Sequence, residues 1–375
     1  MIHSIARATQ FLYEHAAKPA LFRLDPERVH DQAIGIGAMV GRSRTMQRML
    51  HTAYAYTDPI LEQELHGVRF PNPIGLAAGF DKNGRIPDAL AALGFGFAEI
   101  GSVTARMCSG NAKPRLWRLP KSKALQVYYG LPNDGAAIVA DRVRRRRDRM
   151  MPIGMSVAKT NAPSAVDRSA GIEDYLIGLR AVSDVGSYIT INVSCPNAFG
   201  GEPFTDSESL DALLTATDTL ALECPVFLKL PCDMSIEELD VLLECILRHR
   251  VQGIILSNLT KDRSNPSIDV VELRRNGPNG GVSGAPMRAR VNMLIARAAQ
   301  RTGGRLTIVG CGGVASVDDV YEKIRLGASL IQLITGMIYH GPSLIGQLAS
   351  GVAERCRLDG FANIHDAIGS GLRVK

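Results

Sequence analysis

Eight short runs of apolar, β-prone residues recur along the chain, and each is followed by a segment with helical periodicity. Nearly continuous apolar runs of this length are typical of parallel strands that are buried on both faces. Alternating strands and helices, joined by right-handed crossovers, form either an open doubly wound sheet or a closed barrel. The predicted strands are Pro73–Ala78, Phe97–Gly101, Ile153–Val157, Tyr188–Val193, Val226–Leu230, Gly253–Ser257, Leu306–Gly310 and Leu330–Thr335.

The number of strand and helix units favours the closed form. Eight units in a chain of 375 residues suit a (β/α)₈ barrel, also called a TIM barrel. An open dinucleotide-binding sheet would place Gly-x-Gly-x-x-Gly directly after the first strand, and Gly75-Leu-Ala-Ala-Gly79 lacks that spacing. We therefore predict an α/β protein with a TIM barrel over residues 61–375.

Residues 1–60 precede the barrel and form a predicted two-helix extension. Apolar residues between Phe11 and Phe22 predict a short helix that is broken near Pro19, and a second pattern runs from Pro26 to Val40. An amphipathic extension of this kind either packs on the barrel or presents an apolar groove. We refer to it as the arm.

Charge and cysteine usage exclude several classes of protein. The net charge is only +6, and the basic run Arg142–Arg149 has no interleaved aromatic residues, so we expect a solvated helix face and no nucleic-acid partner. The seven cysteines form no CxxC pair and have no zinc-finger spacing, which predicts no metal site and a reducing compartment. Without a signal peptide or a long apolar stretch, we expect a cytoplasmic protein that is soluble or lies on a membrane surface.

Polar residues gather at the predicted carboxyl ends of the strands, where barrel enzymes place their active sites. The turns Gly310–Gly313 and Thr335-Gly336 follow the last two strands and predict a phosphate site built from backbone N–H groups. Lys229 ends the fifth strand, and a buried ammonium needs an anionic or electron-rich partner. The amides of Asn192, Asn197 and Asn258 supply the paired donors and acceptors that an imide-like ring requires.

Five segments of the barrel resemble the dihydroorotate dehydrogenase family. In the arm, Leu24–His30 resembles the class 2 branch, which is quinone-linked and membrane-associated. The resemblance implies an FMN cofactor, oxidation of dihydroorotate to orotate in pyrimidine biosynthesis, a quinone acceptor and peripheral association with the inner face of the cell membrane. The segments are Asn72–Gly84, Glu99–Thr104, Gly110–Leu116, Asn192–Asn197 and Gly280–Pro286.

The resemblance also implies a role for individual residues. Cys195 matches the catalytic base, Lys229 would stabilise negative charge on reduced flavin, and Lys82 would hold the substrate carboxylate. The residues that match FMN contacts are Ala78, Ser102, Ser156, Asn192, Lys229, Ser257, Gly284, Gly312, Gly313, Thr335 and Gly336. The positions that match substrate contacts are Lys82, Val127, Asn192, Asn197, Asn258 and Leu259.

Several of these positions depart from the family's pattern. Cys195 stands where class 2 enzymes usually have serine, and Ser156 stands where the family has a flavin-contacting asparagine. Val127 replaces a substrate-binding asparagine, Leu259 replaces a threonine, and Ala198-Phe199-Gly200 alters the lid that follows the base. A lost partner for a buried polar group costs about 1–3 kcal/mol, so two such losses weaken dihydroorotate binding.

Four interpretations therefore stay open. The first is the family's own reaction, with Cys195 as base and quinone as acceptor. The second is a specialised paralogue, for example in secondary metabolism, that acts on a less polar carbonyl- or carboxylate-bearing substrate. The third is a flavin-binding scaffold without turnover, although Lys229 and Cys195 argue against it. The fourth is a sugar-phosphate barrel enzyme that binds no flavin.

Overall fold

A closed barrel of eight parallel strands forms the body of the protein in a computed structural model, which describes residues 2–146, 150–201 and 204–372. Each strand pairs with its neighbours in chain order, and the last closes on the first through Ile331 opposite Ile74. All eight predicted strands are confirmed. They are β1 (Ile74–Leu76), β2 (Phe97–Val103), β3 (Ile153–Val157), β4 (Tyr188–Asn192), β5 (Val226–Leu230), β6 (Gly253–Leu256), β7 (Thr307–Cys311) and β8 (Leu330–Leu333).

Helices surround the barrel, and their apolar faces form one large core with the outer faces of the strands. A capping box begins the helix Ile236–Ile246, with reciprocal bonds between Ser235 and Glu238. The helices after the first strand are Pro87–Ala92, Ala136–Arg144, Arg168–Val182, Ser207–Asp218, Ile236–Ile246, Val270–Arg275, Arg288–Thr302, Val317–Arg325, Thr335–His340, Leu344–Leu358 and Ile364–Ala367.

Large rings fill the amino-terminal end of the barrel interior. Glycines face them from neighbouring strands: a Cβ on Gly75 would lie 2.3 Å from the Phe97 ring, and one on Gly154 would lie 2.2 Å from the Tyr188 ring. A hairpin of Gln63–Leu65 and Val68–Phe70 brings Phe70 edge-on to Phe97. Because the rings fill this end of the barrel interior, the large cavity described below lies toward the carboxyl ends of the strands.

A three-stranded antiparallel sheet lies over that carboxyl end. Its strands are Leu116–Leu119, Ala124–Val127 and Gly281–Gly284, with the middle strand paired to both others. The two outer strands belong to insertions that follow β2 and β6. The sheet therefore adds a wall to the mouth of the barrel, and it was not predicted from the sequence.

The arm contains the two predicted helical segments and one more. Ile2–Leu12, a π-helical turn at Tyr13–Ala17 and Lys18–Leu21 follow one another, so the break predicted at Pro19 is wrong. The wide π-turn, in which the Lys18 N–H donates to the Tyr13 carbonyl, accommodates the proline ring within a continuing helix. Pro26–Gly41 is the second predicted helix, and Arg44–Tyr54 is an additional one.

The basic run after β2 is largely ion-paired. Arg142 contacts Asp134, Arg144 contacts Asp184 and Arg146 contacts Asp88, each at 2.7–2.8 Å. Arg147 and Arg149 lie outside the described residues. Arg142 and Arg144 are partly exposed on the helix Ala136–Arg144, as predicted for a solvated face, whereas the Arg146 side chain, beyond the helix, is buried. Within residues 2–146, 150–201 and 204–372, no helix has the length and apolar character needed to cross a membrane.

Candidate active site

One continuous cavity of about 610 Å³ extends from the mouth of the barrel to the arm. Its barrel side includes eleven residues singled out from the sequence, and its arm side includes Phe22, Val29, His30, Ala33 and Leu50. The eleven are Ala78, Lys82, Ser102, Val127, Asn192, Cys195, Asn197, Lys229, Asn258, Leu259 and Thr335. The structure therefore brings the predicted site together and places the arm against it.

A chain of hydrogen bonds runs across the strand ends on the cavity floor. Ser156 and Ser102 share a bond of 2.8 Å between their hydroxyls, and the Asn192 amide donates to Ser102 at 2.8 Å. Ser194 donates its hydroxyl to Asn192 Oδ1 at 2.8 Å and accepts from Asn258 at 3.1 Å. Four strands thus hold one polar ladder, and Ser194 is a link that sequence reasoning missed, although it lies inside the quoted Asn192–Asn197 segment.

Lys229 is almost fully buried on β5, at 4% exposure, and lines the cavity. Among the described residues, its ammonium has no hydrogen-bonding or ion-pair partner. A buried charge in this state is costly unless a ligand group balances it. The cavity therefore has a fixed cationic point on its floor that suits an anionic or electron-rich group.

The glycine turns after β7 and β8 are closely packed. A Cβ on Gly313 would lie 2.5 Å from Arg288 Cα, and one on Gly336 would lie 2.2 Å from the Val314 carbonyl oxygen. Gly284, at φ +89°, lies against Thr335, whose hydroxyl shares a 2.8 Å hydrogen bond with Ser283. Side chains are excluded from these turns, so backbone N–H groups can approach a ligand.

Six of the predicted residues are not among those that line this cavity. Ser156 reaches the cavity through Ser102, and Ser257 is buried with its hydroxyl directed at the Asn258 carbonyl at 3.3 Å. The other four are the glycines of the turns, Gly284, Gly312, Gly313 and Gly336.

Lys82 sits between the barrel and the arm. Its ammonium lies 3.2 Å from His30 Nε2 and 4.1 Å from the centre of the Tyr129 ring. Burial lowers the pKa of Lys82 to about 8 and, together with the nearby Lys82 charge, lowers the pKa of His30 to about 3. His30 is therefore neutral and accepts from Lys82 through Nε2. Sequence reasoning assigned no role to His30 or Tyr129, although His30 falls in the segment Leu24–His30.

Cys195 is half-buried at the start of the loop after β4 and faces the cavity. Asn197 donates to the Val127 carbonyl at 2.9 Å, and Asn111 donates to the Asn197 carbonyl at 3.1 Å. These bonds tie the cysteine loop to the three-stranded sheet. The side chains of Val127 and Leu259 line the same cavity, so the two apolar replacements lie at the site.

Comparisons with known proteins agree on one family. The family model for dihydroorotate dehydrogenase matches residues 60–356. A dihydroorotate dehydrogenase (quinone) of Mycobacterium sp. (strain KMS) is 39% identical over 359 residues, covering 96% of this chain and 99% of that protein. One from Corynebacterium efficiens is 38% identical over 364 residues, covering 96% and 94%.

Solved structures show the same likeness in three dimensions. The ligand-free dihydroorotate dehydrogenase (DHODH) of Eimeria tenella superposes with a TM-score of 0.82 at 28% sequence identity. The match covers 93% of this chain and 100% of the Eimeria chain. The complex of the same organism's DHODH with ferulenol gives a TM-score of 0.80 at 27% identity, covering 93% and 96%. The fold, the arm and the full-length similarity to quinone-linked relatives lead to one conclusion: the chain belongs to the dihydroorotate dehydrogenase family, in its class 2 branch.

Proposed function

We propose that the protein is an FMN-dependent oxidoreductase that converts dihydroorotate to orotate and delivers the electrons to a quinone. The observation that supports this most directly is one continuous cavity with three different surroundings. Its lining includes the buried ammonium of Lys229, then the side chains of Lys82 and Cys195, and finally the apolar residues of the arm. Flavin, ring substrate and quinone each need one of these surroundings. Neither the family model nor the named relatives point to another ring substrate.

The residues present fit an FMN group. Lys229 would balance negative charge on the isoalloxazine ring, and the hydroxyl of Ser102 and the amide of Asn192 would bond its polar edge. Ala78 leaves room beside the ring, while Ser156 and Ser257 support the wall from behind. Thr335 and the backbone N–H groups of Gly284, Gly312, Gly313 and Gly336 would hold the phosphate.

The chemistry that FMN supplies when bound is acceptance of a hydride from the ring substrate. The proton transfer is the task of the chain's own residues. Cys195, as the thiolate, takes the proton from the ring carbon next to the one that loses hydride, and becomes the neutral thiol. A thiol is a workable base here, since its reference pKa of about 8.5 is close to neutrality.

Lys82, Asn192, Asn197 and Asn258 would hold the substrate in place. The Lys82 ammonium would pair with the substrate carboxylate, and the three amides would bond the imide part of the ring. Val127 and Leu259 face the same space with apolar groups. The pocket therefore keeps its charge recognition and has fewer polar partners for the ring.

The arm would supply the quinone site and a surface for peripheral membrane binding on the inner face of the cell membrane. Apolar residues of the arm helices Lys18–Leu21, Pro26–Gly41 and Arg44–Tyr54 line the outer half of the cavity, including Leu21, Val40 and Tyr54. Exposed apolar side chains on the outside of the arm, such as Phe11, Met39 and Met49, face away from that cavity. Both features suit a lipid-soluble acceptor that enters from a membrane.

The purified protein tests this proposal directly. We expect a yellow protein with bound FMN, anaerobic bleaching by dihydroorotate, and recovery of the colour on adding a short-chain quinone. The matched control is Cys195→Ala, which should bind FMN but bleach at least about 100-fold more slowly, because general-base catalysis contributes that much. Bound flavin that dihydroorotate leaves oxidised would overturn the substrate assignment, and a colourless protein would overturn the cofactor.

A further inference from the structure

Lys159, in the loop after β3, is a second buried lysine near the cavity, and the mechanism above does not use it. The residue is 3% exposed. Its ammonium donates to the Phe199 carbonyl at 3.0 Å, in the loop that begins with Cys195. A carbonyl is a dipole and does not balance a full positive charge, so this ammonium needs an anion nearby.

No carboxylate of the described residues pairs with Lys159. The Asp174 carboxylate is buried nearby, but its Oδ1 already accepts from the Thr160 N–H at 2.8 Å and from the Thr160 hydroxyl at 2.9 Å. Burial lowers the pKa of Lys159, and the negative charges that oppose this shift are those of Asp174 and Cys195. The Lys159 ammonium is therefore influenced by two negative groups, the Asp174 carboxylate and the Cys195 thiolate.

The loop that contains Cys195 is held in a fixed relation to Lys159. Asn161 accepts from the Phe199 N–H at 2.5 Å and donates to the Gly130 carbonyl at 2.9 Å. Because Lys159 donates to the Phe199 carbonyl, both backbone groups of Phe199 are hydrogen-bonded to the loop after β3. The Lys159 ammonium is thus preorganised against the backbone of the loop that contains the cysteine.

We propose that Lys159 is a positioning residue that stabilises the thiolate of Cys195 and so keeps it ready to act as base. The proposal rests on the proposed function in assigning the base role to Cys195. Lys159 keeps its proton throughout: the substrate proton goes to Cys195 Sγ, and the thiolate charge is neutralised there. Two other titratable groups pack against this region from the helix Arg168–Val182, Asp174 and Tyr175, and Tyr175 is neutral because burial raises its pKa.

The experiment measures the ionisation of Cys195 itself. The FMN-loaded enzyme is alkylated with iodoacetamide from pH 5 to 10, and modification of the Cys195 peptide is followed by mass spectrometry. Only the thiolate reacts. In Lys159→Met, the midpoint should rise by about one pH unit or more, because an opposite charge is lost. Lys159→Arg should restore it, and half-buried Cys108 in the same sample is the internal reference.

A second variant should shift the pH midpoint of Cys195 alkylation in the opposite direction, which separates the effect of charge from the effect of misfolding. Asp174→Asn removes the competing negative charge and should lower the Cys195 midpoint. Equal midpoints in the wild type, Lys159→Met and Asp174→Asn, with FMN content and the Cys108 reference unchanged, would overturn the proposal. If dihydroorotate is not the substrate, alkylation still reports the thiolate. If the inference alone is wrong, dihydroorotate still bleaches the wild-type enzyme while the midpoints coincide.

Discussion

Lys82 connects the substrate pocket to the arm through a single side chain. Its ammonium is shared by His30, which comes from the arm helix Pro26–Gly41, and by the ring of Tyr129. Because the pKa of His30 is about 3, this imidazole is uncharged at neutral pH. Of the two groups, only Lys82 then carries a charge. Removal of the arm helix would therefore change the surroundings of the Lys82 ammonium, which we propose binds the substrate carboxylate.

The lowered pKa of Lys82 predicts how substrate binding varies with pH. The group is cationic below about pH 8 and loses its charge above that value, while the substrate carboxylate stays ionised. KM for dihydroorotate should thus be flat below pH 8 and rise about tenfold per pH unit above it, since binding needs the charged form. Initial rates from pH 6 to 10 measure this. Lys82→Arg should remove the inflection, and an inflection that persists there would assign it to another group.

Val127 and Leu259 are the two replacements that we expect to weaken affinity for the dihydroorotate ring. Both line the cavity beside Asn197 and Asn258, and each presents an alkyl group where a polar ring atom would lie. A restored partner is worth about 1–3 kcal/mol, so Val127→Asn and Leu259→Thr should each lower KM for dihydroorotate by about 10-fold or more.

The double variant and a matched control complete that test. Leu125, on the same strand as Val127, also lines the cavity, and Leu125→Met should leave KM nearly unchanged because volume and polarity are kept. Unchanged or higher KM in the double variant, with FMN still bound, would indicate that the pocket is shaped for a less polar ring.

The positions of the principal site residues were predictable, and their supporting contacts were not. Lys229, Asn192 and Asn258 lie at strand ends, so the strand pattern alone placed them at one mouth. Other contacts come from loops or from the arm, as they do for Lys159, Asn161 and His30. Nothing in the local sequence of these residues shows which backbone carbonyl or side chain they contact. Such contacts between distant segments require the fold itself.

At the level of elements, the arm helix Pro26–Gly41 is fixed to the barrel by a buried ion pair. Arg115, just before the strand Leu116–Leu119, bonds Glu27 at 2.8 Å, and both side chains are about nine-tenths buried. The close approach of the helix is also visible at Gly37, where a Cβ would lie 2.8 Å from Ile86 Cγ2. A second attachment lies at the helix Thr335–His340, where Tyr13 donates to the Ile338 carbonyl at 2.6 Å.

Loss of that ion pair should destabilise the protein measurably. Glu27→Gln leaves Arg115 buried without its counter-charge, which should lower the free energy of unfolding by about 2–3 kcal/mol, somewhat less than for a fully enclosed pair. Denaturant titration measures it. The matched control is Glu208→Gln, which breaks the exposed pair with Arg168 and should cost less than about 1 kcal/mol. Equal effects of the two substitutions would contradict the structural role of Glu27.

The elements differ in how well the sequence predicted them, for a physical reason. Barrel strands are buried on both faces, so their sequences are apolar throughout and easily recognised. The arm helix Arg44–Tyr54 has a mostly polar, arginine-containing sequence, and Gln47 is its one buried residue, so its few apolar residues did not stand out as a helix signal. The small antiparallel sheet has strands of four residues, too short for alternation to stand out.

For the whole molecule, the arm has two faces with different surroundings. Its inner face lines the cavity that continues to Lys229. Its outer face exposes large apolar side chains on each long helix: Phe11 at 65%, Met39 at 61% and Met49 at 67%. Large apolar groups that stay exposed on neighbouring elements are typical of a surface that meets a membrane or another apolar partner.

This arrangement predicts that membrane binding and redox chemistry can be separated. A triple variant, Phe11→Ser with Met39→Ser and Met49→Ser, removes three exposed apolar groups that do not line the cavity. Partitioning onto vesicles that contain anionic lipid should fall by at least about tenfold, because each group contributes buried apolar area at the interface. Bleaching of the flavin by dihydroorotate should remain unchanged, since Lys82, Cys195 and Lys229 are untouched.

Vesicle sedimentation with quinone turnover gives the measurement. In the triple variant, turnover with a quinone dissolved in the vesicles should fall in step with binding, while turnover with a water-soluble short-chain quinone stays constant. The control is Val241→Ser, which removes an exposed apolar residue from a barrel helix and should affect neither. If the triple variant binds vesicles as the wild type does, the outer face of the arm is not the membrane-binding surface, and the quinone must reach the cavity by another route.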